Sequence, residues 1–297
     1  MERVFTFLVG GKAGEGVKKA GNSIANMMAM RGLRVFQYDD YQNLIKGGHN
    51  FSAVSASAGE ISSHYLEYNI AVLLDERSVE AHKGHIAKGG ALVYDSDSVK
   101  DSQGIGIPIS SEARKYPSSD LRKGLAGVAV AAAYSDLGKH EFLEFVRREY
   151  SHDAENNIAF AGAIYDLAYS ELGGKIKILG GGAALPVISG NEAIALGLAA
   201  GGLDMYFSYP MTPTTSLLHY LAAHAGELGV TVAQPENEIA VAQMVLGSTF
   251  AGARAAAGSS GGGFALMQET FSLAGMAEAP ALFILSSRPG PSTGMPT

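Results

Sequence analysis

From Asp204 onward the sequence alternates with a regularity that few architectures accept. Short apolar runs at 204–209 (DMYFSY), 229–234 (GVTVAQ), 253–259 (ARAAAGS) and 281–287 (ALFILSS) are separated by stretches with helical spacing. A chain that returns through a helix between strands lays those strands parallel, so the pattern predicts a doubly wound parallel sheet. In such a sheet every loop leaving a strand's carboxyl end opens onto one rim, where ligands bind. Four loops qualify: YPMTPTT (209–215), QPENE (234–238), SSGGGF (259–264) and RPGPSTGMPT (288–297).

The first half reads as a second α/β unit. An apolar run at 4–9 (VFTFLV) leads through GGKAGEG into a helix pattern from Val17 to Arg31, with Ala20, Ile24, Met27 and Met28 on one side. Further strand patterns fall at 33–38, 51–58, 69–75 and 90–95, with a short helix pattern between the last two, and after Gly124 the chain turns helical. A glycine-dense stretch at 173–188 reads as a linker, placing a first domain at 1–172 and a second at 189–297. Ser189 and Glu192 have the spacing of a capping box at the start of the second. A chain of 297 residues with 47% hydrophobic content is long enough for both to bury a core.

Composition excludes several classes of function. With no cysteine, the chain forms no disulfide and cannot by itself carry a thiolate-ligated cluster. A net charge of -7 without a basic stripe argues against nucleic acid as a partner. No signal-peptide pattern opens the chain and no apolar run nears the ~20 residues of a membrane span, so the reading is a soluble, cytoplasmic protein.

The rim loops offer distinct chemistry. In the first, Pro210 and Pro213 restrict the backbone on both sides of Thr212, either aiming its hydroxyl or simply making Thr212 a helix cap ahead of a proline at the first helical position. Arg288, ahead of Pro289, presents a planar fork suited to a carboxylate, with a surface salt bridge as the plainer alternative. Glu236 and Glu238 lie where a helix dipole favours acids in any case. The helix pattern after Glu238 is apolar on nearly every side, which predicts a buried helix and a desolvated carboxylate at its mouth. SSGGG permits close approach of a flat ligand, or merely a turn.

These stretches carry a resemblance. YPMTPTT, PENEIAVAQMVLGSTFAGARAAAGSSGGGFALMQE and RPGPSTGMPT resemble the pyrimidine-binding domain of the 2-oxoacid:ferredoxin oxidoreductases, which are thiamine diphosphate enzymes. GGKAGEGV and NLIKGGHN resemble that family's gamma domain, here fused ahead of alpha. The resemblance gives Glu238 the position of the glutamate that bonds the aminopyrimidine and favours its imino form, so that the cofactor's own nitrogen takes the thiazolium C2 proton. It gives Thr212 contact with substrate, Arg288 a pairing with the substrate carboxylate, and Thr297 and Lys46 further substrate contacts. Tyr209 and Pro210 fall beside Glu238 among the cofactor contacts.

It also implies what lies elsewhere. The chain lacks the GDG motif of a diphosphate and magnesium site, so the resemblance assigns diphosphate, magnesium and a [4Fe-4S] cluster to a beta subunit, with ferredoxin and coenzyme A as further partners. Alpha subunits of the family continue beyond the position of Thr297, so the sequence is expected to be partial. The implied reaction is oxidative decarboxylation of a 2-oxoacid, with 2-oxoglutarate favoured over indolepyruvate or branched-chain 2-oxoacids. Two other readings remain at this stage: a non-catalytic assembly or regulatory subunit, and a nucleotide-binding module using GGKAGEG as an anion turn at a helix start. Against the latter, neither a P-loop nor G-x-G-x-x-G spacing is present.

Overall fold

The computed structural model describes residues 4–41, 48–100, 103–173 and 182–286, and divides the chain into two units, Met1–Val187 and Ile188–Thr297. Both are α/β.

In the first unit the elements run β1 (Phe5–Lys12), α1 (Val17–Met30), β2 (Arg34–Tyr41), β3 (His49–Ser57), β4 (Tyr68–Leu73), α2 (Glu76–His82), β5 (Ile86–Asp95), β6 (Ile105–Ile107), α3 (Ile109–Ala113), α4 (Ser119–Tyr134), α5 (Lys139–Glu149) and α6 (Ala154–Leu172). The six strands order as β2-β3-β1-β4-β5-β6. β1, β4, β5 and β6 pair in parallel, and β3 pairs antiparallel with both β1 and β2. Strand alternation divides the core between two faces: Phe7, Val9, Ile70 and Val72 pack with α1, α4 and α6, while Leu8, Ala71 and Leu73 pack on the opposite face with Val79 of α2. The helical spacing of Ala20, Ile24, Met27 and Met28 does bury all four. The three-residue β6 is too short to leave a periodic trace in the sequence.

The glycine turn after β1 is built for internal contacts. Gly16 has φ 78, and a Cβ on Gly124 of α4 would press into the Gly16 carbonyl, so two glycines let α4 pack directly on the turn. Glu15 fills the turn itself: one carboxylate oxygen accepts from the Lys12 N–H at 2.8 Å and the other pairs with Lys123 at 3.0 Å. Burial pulls the Lys123 ammonium down, but the bonds and charges of Glu15 and then Asp120 together more than offset this and hold it above the usual lysine value. The anion-turn reading is thus corrected. The turn already holds the protein's own carboxylate.

The second unit comprises α7 (Gly190–Ala200), β7 (Met205–Ser208), α8 (Thr212–Ala223), α9 (Ala225–Leu228), β8 (Thr231–Ala233), α10 (Glu238–Phe250), β9 (Ala255–Ser259), α11 (Gly261–Met276) and β10 (Leu282–Leu285). The Ser189–Glu192 capping box is present at α7. Among its described residues the four strands are all parallel, ordered β10-β9-β7-β8. Alternation again splits the core: Tyr206 and Ala256 face Ala195 of α7 and the α8 leucines, whereas Phe207, Ala255 and Ala257 face Val241 and Val245 of α10 and Met267 of α11. The sheet is doubly wound, as the strand–helix alternation requires.

One expectation fails in detail. α10 buries Val241, Ala242, Val245 and Leu246 but exposes Ile239, Met244 and Phe250, the last at 69%. A helix lying on a single four-stranded sheet and touching one neighbouring helix can cover only part of its circumference. Apolar composition all round therefore did not bury it all round in this unit.

Candidate functional site

After β7 the chain moves to β8 on one side and then to β9 on the other, so the strand order reverses between β7 and β9. Loops leaving those two strands diverge and open a crevice at their carboxyl ends, the position where open α/β sheets bind ligands. The tips are held together at this point, because the Ser208 hydroxyl donates to the Gly258 carbonyl at 2.8 Å.

The β7 loop forms one wall. Met211, extended at φ -121, is the N-cap of α8, with Thr212 and Pro213 following as its first residues. The reading of Thr212 as the cap is therefore corrected. The Met211 carbonyl instead accepts the hydroxyls of Thr215 at 2.8 Å and Thr214 at 3.3 Å, and Asn191 of α7 donates to the Pro213 carbonyl at 2.8 Å. With the corner braced by these groups, Thr212 is left exposed, its hydroxyl bonded to no described residue. Tyr209 is 37% exposed at the strand exit and Pro210 half-buried beside it. Below them, burial pushes the Tyr206 hydroxyl up to about 12, with neighbouring Ser208 opposing the shift.

The β8 loop delivers Glu238. Asn237 adopts extended backbone and its side chain caps α10 by accepting from the Ala240 N–H at 2.9 Å. Capping by Asn237 leaves the next side chain free of that duty. Glu236 is exposed, whereas Glu238 is buried to 7% and makes no hydrogen bond or ion pair with any described residue.

The β9 loop lies on the other side of the crevice. A Cβ on Gly263 would lie 3.0 Å from Glu238 Cγ and 3.2 Å from its Oε1, and would collide with Ser259 Oγ. Glycine at 263 is thus what lets the Glu238 and Ser259 side chains share the space over the first turn of α11. The hydroxyls of Ser259 and Ser260 are buried without a hydrogen-bond partner. Ser260 is the N-cap of α11, yet its side chain makes no capping bond. Sequence reasoning took SSGGG as a glycine loop and passed over both serines; two hydroxyls ahead of a triple glycine were the available signal.

Of the residues selected from sequence, Glu238, Thr212, Tyr209 and Pro210 come to this one rim. Arg288, Thr297 and Lys46 lie outside the described residues. Among the described residues no group of three potential ligands could hold a metal ion. A cleft of about 900 Å³ lies elsewhere, in the first unit, lined by Val79, Lys83, Leu92, Val99 and Ile105 among others, and takes in none of the selected residues.

The first unit has a polar cluster of its own. His49, at the start of β3, contacts His82 of α2 at 3.0 Å between Nε2 atoms, and its Nδ1 meets the Ser78 hydroxyl at 3.1 Å, which in turn donates to Asp75. Burial drives His82 down to about 4, reinforced by His49 and His85. His49 is lowered chiefly by burial, against the opposing pull of Asp75.

Comparison with known proteins matches both units. The family model described as pyruvate ferredoxin/flavodoxin oxidoreductase matches residues 6–167, and its thiamine diphosphate-binding counterpart, described as pyruvate flavodoxin/ferredoxin oxidoreductase, matches residues 197–297. The alpha subunit of 2-oxoacid:ferredoxin oxidoreductase 2 from Aeropyrum pernix is 27% identical, over 98% of this chain and 56% of its own length. The 2-oxoglutarate synthase subunit KorA of Archaeoglobus fulgidus is 39% identical over 38% of this chain and 33% of its own. Among solved structures, the 2-oxoglutarate:ferredoxin oxidoreductase of Magnetococcus marinus, with 2-oxoglutarate, coenzyme A and succinyl-CoA bound, superposes with a TM-score of 0.83 at 29% identity. That match covers 100% of this chain and 54% of the other. The chain spans about half the length of the full-length relatives it matches. Among the described residues, no helix is long and apolar enough to cross a membrane.

Proposed function

The chain belongs to the pyruvate ferredoxin/flavodoxin oxidoreductase family, and on that premise we propose that it serves as the alpha subunit, with a fused gamma-type domain, of a 2-oxoacid:ferredoxin oxidoreductase. The first domain spans 1–172 and the pyrimidine-binding domain 189–297, joined by a linker. The reaction is oxidative decarboxylation of a 2-oxoacid to an acyl-coenzyme A, with electrons passed to ferredoxin. 2-Oxoglutarate is the favoured substrate, supported by the KorA relative and by the 2-oxoglutarate held in the Magnetococcus marinus structure.

One observation carries the assignment. Glu238 is buried on the rim beside the β7–β9 crevice, bonded to no described residue, sharing with Ser259 the space that the missing side chain of Gly263 leaves, and close to two unpaired hydroxyls. A largely buried carboxyl group that no described residue bonds, with its oxygens still reachable from the crevice, is suited to a ligand that supplies the bond. The residues present fit the aminopyrimidine end of thiamine diphosphate: a flat ring needs close backbone approach, which the glycines allow, and one carboxyl at its edge.

When bound, thiamine diphosphate supplies a carbanion that adds to 2-oxo carbons and accepts the electrons of decarboxylation. The chain's own residues bind and orient. Glu238 holds a proton at the pyrimidine edge and so fixes the ring's tautomer. Tyr209 and Pro210 line the ring's approach, while Thr212, aimed by its braced corner, meets the substrate. Arg288 pairs with the substrate carboxylate, and Thr297 and Lys46 complete that contact. A beta subunit supplies the diphosphate and magnesium site and a [4Fe-4S] cluster, which this cysteine-free chain cannot hold alone.

Glu238→Gln in the assembled complex tests the reading. Turnover of 2-oxoglutarate with coenzyme A and a low-potential acceptor is expected to fall about 100-fold or more, with assembly intact. Unchanged turnover would return the chain to a purely assembling role.

A further inference from the structure

We propose that Ser259 is a positioning residue for Glu238: its hydroxyl bonds the Glu238 carboxyl group once the pyrimidine ring is seated, and the missing side chain of Gly263 is what makes this contact possible. The proposal rests on the reading of this rim as the pyrimidine site and names a residue which that reading does not use.

Three observations lead to it. Ser259 is 2% exposed and its hydroxyl has no partner, although a buried hydroxyl left unbonded costs about 1–3 kcal/mol. Few such groups survive in folded proteins without a reason. Second, Ser259 Oγ and Glu238 Oε1 both lie within 3.2 Å of the point a Gly263 Cβ would occupy, so the two unbonded side chains face one small volume from β9 and α10. Third, the neighbouring Ser260 does not cap α11 with its side chain, so the first turn of that helix receives no side-chain oxygen from its cap.

The chemistry suits the task. A hydroxyl donates to an ionised carboxylate and accepts from a protonated one, so Ser259 can follow Glu238 through either state without being replaced. With one carboxyl oxygen held by Ser259, the other is turned to the ring edge, and the carboxyl plane is fixed rather than free to rotate.

The experiment uses the purified complex stripped of thiamine diphosphate and titrated with it. Affinity is followed by calorimetry, and the ring's tautomer by near-ultraviolet circular dichroism. Ser259→Ala is expected to weaken binding about ten-fold and reduce the tautomer signal, while the cofactor-free unfolding temperature stays level or rises, since an unpaired hydroxyl has been removed. Ser259→Thr, which keeps the hydroxyl, should restore most of the affinity. Gly263→Ala should weaken binding more than Ser259→Ala, because its methyl enters the space of both side chains. Wild-type affinity and signal in Ser259→Ala, or a fall in the cofactor-free unfolding temperature, overturns the proposal. If Glu238→Gln still abolishes the signal in those same preparations, the assignment of function stands without it. If Glu238→Gln changes nothing either, both fall.

Discussion

Glu15 and Glu238 form a natural pair. Each follows the carboxyl end of a strand, each lies within a residue or two of a helix start, and each is buried to 7%. Glu15 is tied to the Lys12 N–H and to Lys123. Glu238 is tied to nothing described, and the lack of a side chain at Gly263 leaves it room beside Ser259. Similar burial thus comes with opposite bonding: one carboxylate is paired from within, the other is bonded to no described residue. Burial alone does not separate the two acids; their partners do.

The widest separation should appear in turnover. Glu238→Gln is expected to lower it by about 100-fold or more while leaving the unfolding free energy within about 0.5 kcal/mol of wild type, as no bond in the protein is lost. A large loss of stability would show that the two acids are alike after all.

Acid tests the first unit's histidine cluster. His82 is held near 4, below its ordinary 6.5, so the unfolded chain takes up its proton first as pH falls. The contribution is complete above about pH 6.5 and is lost progressively down to about pH 4, a total of about 3 kcal/mol. Denaturant titrations across that window should show the slope, and His82→Gln should flatten it.

Glu15→Ala, measured the same way, should cost about 2 kcal/mol by orphaning the Lys12 N–H and leaving the largely buried Lys123 ammonium with Asp120 alone, at 3.4 Å. Turnover per folded molecule should be retained. Loss of turnover out of proportion to folding would mean that the glycine turn takes part in the reaction. The smallest effect is expected at Phe250, 69% exposed on α10, where Phe250→Gln should shift the unfolding free energy of the chain by no more than about 0.5 kcal/mol.

Much of the architecture was legible in the sequence, because strand and helix periodicity are local properties and glycine turns punctuate them. The helix carrying Ala20, Ile24, Met27 and Met28 and the four-strand alternation after Asp204 are cases in point. Less local features were not legible. The antiparallel insertion of β3 between β1 and β2 depends on pairings far apart in the chain. The exposed side of α10 depends on how many neighbours the helix finds, which its own composition does not encode.

At the site, residue types at strand tips and a likeness to known motifs singled out Glu238 and Thr212. The two serines of the β9 loop escaped notice, since nothing local distinguishes a capping hydroxyl from an unbonded one.

By itself, then, the sequence determined the order and kind of the elements and which loops share a rim, since backbone sterics and side-chain periodicity act over a few residues. Only the tertiary structure decided which buried polar groups are satisfied from within and which are not. That distinction depends on partners brought from distant strands and helices, as Lys123 is brought to Glu15 and Gly263 to Glu238.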